Sequence, residues 1–112
     1  MGRAIVRAAV ESSDVKVVAG VASASSKDLG KDVGELAGMS ARGVKVSSYL
    51  SAMLAQCDVA IDFSNASTTA TNLAACSAAR KPLVIGTTGF ATDVEQQINA
   101  AANDIAVLVA PN

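Results

Sequence analysis

Between Asp58 and Val109 the chain runs twice through the same order of a short apolar run, a helical stretch and another short apolar run. Residues 58–63 alternate Val59, Ile61 and Phe63 with smaller side chains, as a strand does. Residues 66–79 are an alanine-rich helical stretch that Ser64 or Asn65 can cap, and Pro82 prevents its simple continuation. Residues 83–85 form the next strand. A helix from Thr92 or Asp93 to about Ala102 follows, and then a strand over 105–109. Strands and helices alternating at this spacing predict βαβ units on a parallel sheet, an α/β fold.

The upstream half is less regular. Residues 1–13 have helical spacing, with Ile5, Ala8 and Ala9 on one face, and the Val-rich run 15–21 predicts a buried parallel strand. Residues 23–43 are polar and punctuated by Gly30, Gly34, Gly38 and Gly43, which predicts a long excursion with one turn of helix. A short strand over 44–46 and a helix capped by Ser47 or Ser48 and ending near Gln56 complete the pattern. Asp32 and Glu35 read as solvated loop carboxylates or caps.

At 112 residues, 51% of them apolar, the chain is read as one folded domain at most. With two Phe, one Tyr and no Trp, its core must be thin and closely packed. A net charge of −1 gives no general attraction to a nucleic-acid backbone, and no basic patch with interleaved aromatics points to one. The absence of histidine excludes a His-based triad or zinc centre within these residues. Cys57 and Cys76 sit beside apolar segments and read as small buried hydrophobes. No apolar stretch reaches membrane-spanning length and no leader pattern opens the chain, so the expected setting is cytoplasmic.

In an open parallel sheet, ligands bind beyond the carboxyl ends of the strands. Three such ends carry small polar residues. At Phe63-Ser64-Asn65 a hydroxyl meets a helix N-terminus, which suits a phosphate or ribose oxygen or else an ordinary N-cap. Gly86-Thr87-Thr88-Gly89 lets the backbone approach a flat ring or pyrophosphate, or else serves as a structural turn. At Ala110-Pro111-Asn112 an amide side chain follows a stiffened exit. Asp62, one residue before its strand end, reads as a structural acceptor.

Met1-Gly2-Arg3, Gly34-Glu35-Leu36-Ala37-Gly38, Ile61-Asp62-Phe63-Ser64, Val84-Ile85-Gly86-Thr87-Thr88-Gly89-Phe90 and Ala110-Pro111-Asn112 follow one another as in the N-terminal domain of the dihydrodipicolinate reductase family. The chain resembles that domain along its whole length. The resemblance implies a Rossmann-like parallel sheet with flanking helices and a reductase using NADH or NADPH on the route to diaminopimelate and lysine. It also implies a homotetramer assembled through a further, substrate-binding domain. It implies cofactor contacts from Met1 and Gly2 at the pyrophosphate, from Gly86, Thr87 and Thr88 beside the nicotinamide, and from Ala110, Pro111 and Asn112 at the domain hinge.

The sequence departs from the family pattern in three places. The second strand ends in Val21-Ala22-Ser23, where the family often carries an acidic residue for the adenosine ribose; Ser23, with Ser25, Ser26 or Lys27, is the candidate replacement, and a serine with a lysine mildly favours NADPH. The first strand and the opening glycines have no counterpart before Met1, so the sheet is expected to be incomplete. The family's histidine-bearing substrate and tetramerisation domain has no counterpart after Asn112. The expectation is therefore a truncated dinucleotide-binding domain over residues 1–112, inactive alone, with no catalytic residue or metal ligand of its own. A noncatalytic interaction or regulatory module of the same fold, or the nucleotide-binding domain of another oxidoreductase, is the alternative.

Overall fold

A computed structural model describes residues 2–86 and 92–110. The chain forms two compact units, Met1–Gln56 and Cys57–Asn112.

In the first unit, helix α1 (Gly2–Glu11) packs against the single turn α2 (Val33–Leu36). Arg7 donates from Nη2 to the Ala37 carbonyl at 2.8 Å, satisfying a backbone acceptor at the end of α2. Strands β1 (Gly20–Val21) and β2 (Val46–Ser47) pair in parallel, Gly20 opposite Val46 and Val21 opposite Ser47. The polar excursion between them is organised by Asp32. Its side chain caps α2 through the N–H groups of Gly34 and Glu35, and it also accepts from the N–H groups of Arg42 and Gly43. The sequence allowed Asp32 a cap, and it is one. Val33, Ala37 and Leu54 are buried here.

Two local expectations fail in this unit. The strand expected over 15–21 shrinks to Gly20–Val21, and Val15 and Val21 are exposed rather than buried. A valine run favours extended backbone, but a strand also needs a ladder partner, and β2 provides register for only two residues. Helix α3 (Leu50–Leu54) starts from Tyr49 without a side-chain cap, because the Ser47 hydroxyl is used locally and accepts from the Tyr49 N–H at 3.1 Å.

The second unit follows its sequence closely. Strands β3 (Ala60–Asp62), β4 (Leu83–Ile85) and β5 (Val107–Val109) form a parallel sheet in the order β3-β4-β5. Helix α4 (Ala66–Ala79) is capped by Asn65, whose side chain accepts from the Thr68 N–H at 3.0 Å. It ends on Arg80 in the left-handed region, where the Lys81 N–H reaches back to the Cys76 carbonyl. Helix α5 (Thr92–Ala101) packs on α4, and α4 also contacts β3 and β4. Leu73, Cys76, Leu83, Ile85, Val94, Ala101 and Ile105 form the core. Ile61, Val84 and Leu108 stand in register across the sheet, and the two outer members, Ile61 and Leu108, are exposed. Parallel strands flanked by helices make this an α/β, partial Rossmann-like architecture.

Candidate functional site

Register places the strand ends of the second unit side by side. Asp62, Ile85 and Val109 are aligned partners at the carboxyl ends of β3, β4 and β5. The ladder then runs one residue further, with the Gly86 N–H donating to the Asp62 carbonyl and the Ala110 N–H to the Ile85 carbonyl, both at 2.8 Å. Gly86 and Ala110 therefore lie along one rim, and Phe63 and Ser64 leave β3 at the same end. At Ala110, which is exposed, the small side chain lets another molecule approach the backbone, whereas Gly86 is buried.

Asp62 anchors the β3 corner. It is 4% exposed, and its Oδ1 accepts from the Ser64 N–H at 2.8 Å and from the Ser64 hydroxyl. Its Oδ2 is buried without a hydrogen-bond partner among the described residues. The structural-acceptor role expected for Asp62 is thus present, with one oxygen left over. Ser64 itself is exposed. The Asn65 side chain holds the Ser67 hydroxyl as well as the Thr68 N–H, so the start of α4 carries its own cap.

Gly86 has a second neighbour that sequence reasoning missed. A Cβ placed on it would fall 2.5 Å from Phe63 Cδ1 and closer still to Cε1 and Cζ. The flat ring to which Gly86 gives access is, on that side, Phe63 of the same chain. No local pattern announces a contact between residues that follow adjacent strands. Thr69 was also missed: it is fully buried on α4, and its hydroxyl has no partner among the described residues.

The remaining candidates divide between the units. Gly2 opens α1 and Ser23 follows β1, both in the first unit. Ser23 is exposed, its hydroxyl 3.3 Å from that of Ser25. Lys27 is exposed as well, whereas the Ser26 hydroxyl accepts from the Asp28 N–H. Met1, Thr87, Thr88, Pro111 and Asn112 lie outside the described residues. Two cavities, of about 230 Å³ beside Lys16 and Arg42 and about 380 Å³ between α4 and α5, include none of these candidates.

Among the described residues no group of three or more His, Cys, Asp or Glu side chains could hold a metal ion. None of the described helices is long and apolar enough to cross a membrane. Burial first, then the nearby Cys57 and Asp62, push the Cys76 thiol up to about 11, which makes it a poor nucleophile at neutral pH.

Parallel strands ending together in a rim of small and hydroxylated residues define the class of α/β layers that take ligands beyond their strand ends. Within that class the chain belongs to the dihydrodipicolinate reductase family: the family model for the N-terminus of dihydrodipicolinate reductase matches residues 1–112. Over 112 residues the chain is 45% identical to the 4-hydroxy-tetrahydrodipicolinate reductase of Colwellia psychrerythraea, covering all of this chain and 41% of that protein. The reductases of the same name from Methylococcus capsulatus and Saccharophagus degradans are 42% and 38% identical, again along the whole chain. The chain spans about two fifths of the length of these curated relatives. An amine dehydrogenase from Mycobacterium smegmatis superposes with a TM-score of 0.66 at 18% identity, covering 96% of this chain and 35% of that one, a likeness of fold alone.

Proposed function

We propose that these residues are the nicotinamide-dinucleotide-binding part of a 4-hydroxy-tetrahydrodipicolinate reductase serving diaminopimelate and lysine synthesis. The observation that carries the reading is the shared rim of Ser64, Gly86 and Ala110 at the ends of three adjacent parallel strands. When bound, NADH or NADPH supplies the hydride.

The rim fits such a molecule in two respects. Ala110 presents exposed backbone with little side chain to intervene, and Ser64, an exposed residue, offers a hydroxyl oriented by Asp62. In this reading Gly86, Thr87 and Thr88 border the nicotinamide, Ala110, Pro111 and Asn112 form the adjoining contact, and Met1 and Gly2 meet the pyrophosphate. Ser23 takes the adenosine ribose, with Lys27 near enough in sequence to favour a 2′-phosphate. Reduction of the substrate, and assembly of a cytoplasmic homotetramer, fall to parts of the reductase beyond these 112 residues, so the chain alone has no reductase turnover.

Calorimetric titration of the reductase that contains these residues with NADH and NADPH tests the reading, with the 112-residue chain titrated beside it. Micromolar binding by the reductase, and weak or no binding by the chain alone, is the expected result. A folded reductase that takes up neither dinucleotide refutes the reading, and measurable turnover by the chain alone refutes its assignment of the chemistry to other residues.

A further inference from the structure

We infer that Asp62 is a positioning residue that turns Ser64 into an obligate hydrogen-bond acceptor for a ribose hydroxyl on the nicotinamide side of the dinucleotide; the inference rests on the proposed function. A serine hydroxyl has one proton to give and two lone pairs to offer. At Ser64 that proton is directed at Asp62 Oδ1. What Ser64 presents to a ligand is therefore lone pairs alone.

The unpartnered oxygen fixes this arrangement. Asp62 is more than nine-tenths buried, and Oδ2 receives no hydrogen bond among the described residues. Among the described residues the carboxyl group is satisfied only through Oδ1, and both donors to Oδ1 there belong to Ser64. If the hydroxyl rotated to donate elsewhere, a buried carboxylate already missing one partner would lose another. A phosphate oxygen needs a donor, so an acceptor-only hydroxyl beside a carboxylate disfavours it. A ribose hydroxyl brings its own proton and matches. Ser64 leaves β3, the neighbour of the strand that leads into Gly86, and adjacent strands stand about 4.8 Å apart. That offset suits a ribose in a ligand lying across the ends of β3 and β4, outside the Phe63 ring that covers Gly86. The helix-terminus phosphate site that the sequence allowed at Phe63-Ser64-Asn65 is the less favoured use of this corner.

The test uses the full-length reductase containing this chain and measures binding of NADH and of its 2′-deoxy and 3′-deoxy analogues at the nicotinamide ribose. Ser64→Ala is expected to weaken NADH binding roughly tenfold, about the worth of one hydrogen bond. It should leave one of the two deoxy analogues no weaker than that analogue binds to wild type. Ser64→Thr should restore NADH affinity. Asp62→Ala, which removes the acceptor that orients the hydroxyl, should produce a loss like that of Ser64→Ala, and the double variant no more than either alone. If Asp62→Ala does not fold, the Ser64→Ala comparison across the three ligands decides. Unchanged NADH affinity in Ser64→Ala, or an equal loss for NADH and both analogues, overturns the inference while leaving dinucleotide binding intact. A wild-type protein that binds no dinucleotide overturns the proposed function and this inference together.

Discussion

The contact between Gly86 and Phe63 gives the sharpest test of the site's geometry. Replacing Gly86 with alanine places a methyl group 2.5 Å from Cδ1 of the Phe63 ring and closer to two further ring carbons. Ordinary carbon–carbon contact needs about 3.5 Å, so Cδ1 alone must retreat by about 1 Å. Gly86 is not among the positive-φ glycines, Gly30, Gly38 and Gly43, so alanine meets no backbone penalty there. The substitution should even gain about 0.4–1 kcal/mol by restricting the unfolded chain. Against that gain stands overpacking, typically about 1–3 kcal/mol. Phe63 is only half-buried and can swing outward in part, which places the net loss near 1–2 kcal/mol. For a unit of this size that lowers the melting temperature by roughly 4–15 °C. The informative assay is a cycle of four proteins, with Gly86→Ala made in both the native and Phe63→Ala backgrounds and followed by thermal and urea denaturation. In the truncated background the methyl group has room, and Gly86→Ala should be neutral or slightly stabilising. Equal losses in the two backgrounds would refute the assignment of the ring as the obstacle.

Two predictions concern titration. Hydrogen bonds from the backbone of Arg42 foremost, then from Glu35, Gly34 and Gly43, outweigh an opposing effect of burial and hold Asp32 below its ordinary value. A carboxylate with a depressed folded value stabilises the protein above its unfolded value, 3.8, and that contribution is lost as pH falls through the folded one. Asp32→Asn should therefore destabilise the protein at pH 7 and flatten the acid limb of its stability profile in urea titrations; an unchanged acid limb would contradict the role given to Asp32. For Cys76 the sign is opposite: the thiol is raised from 9.0 to about 11, so its contribution is present below 9.0 and lost as pH climbs through about 11. Native protein at pH 8 should leave Cys76 unalkylated until denaturant unfolds it, and mass spectrometry showing rapid modification of folded Cys76 would count against its burial.

The sequence disclosed the elements whose causes are local. Asn65 and Pro82 stand at the two ends of α4, and residues 66–79 and 83–85 form the helix and strand they predict, because cap, breaker and period all act within a few residues. Asp32 was legible as a cap for the same reason, although not the reach of its carboxylate to Arg42 and Gly43. Wherever the outcome depended on a distant partner, pattern reading overreached. The valines of 15–21 carry β propensity regardless of whether a neighbour lies alongside, and only two residues find register with β2. Ser47 had the chemistry of an N-cap, and a nearer N–H claimed it.

The rim combines both kinds of information. Its composition was readable, since Ser64, Gly86 and Ala110 each follow a recognisable strand. Its function depends on what adjacency adds. Asp62 faces inward because period-two alternation sends Ile61 to the opposite, exposed side, so the strand buries a carboxylate and leaves its isoleucine out. A strand optimised only for stability would invert that choice. The buried carboxyl group is tolerable because Ser64 answers one of its oxygens, and in answering it the serine surrenders its only hydroxyl proton. The cost of burying Asp62 and the hydrogen-bonding character of Ser64 are therefore one physical fact, and substitution at either residue should be felt in the ligand preference of the other.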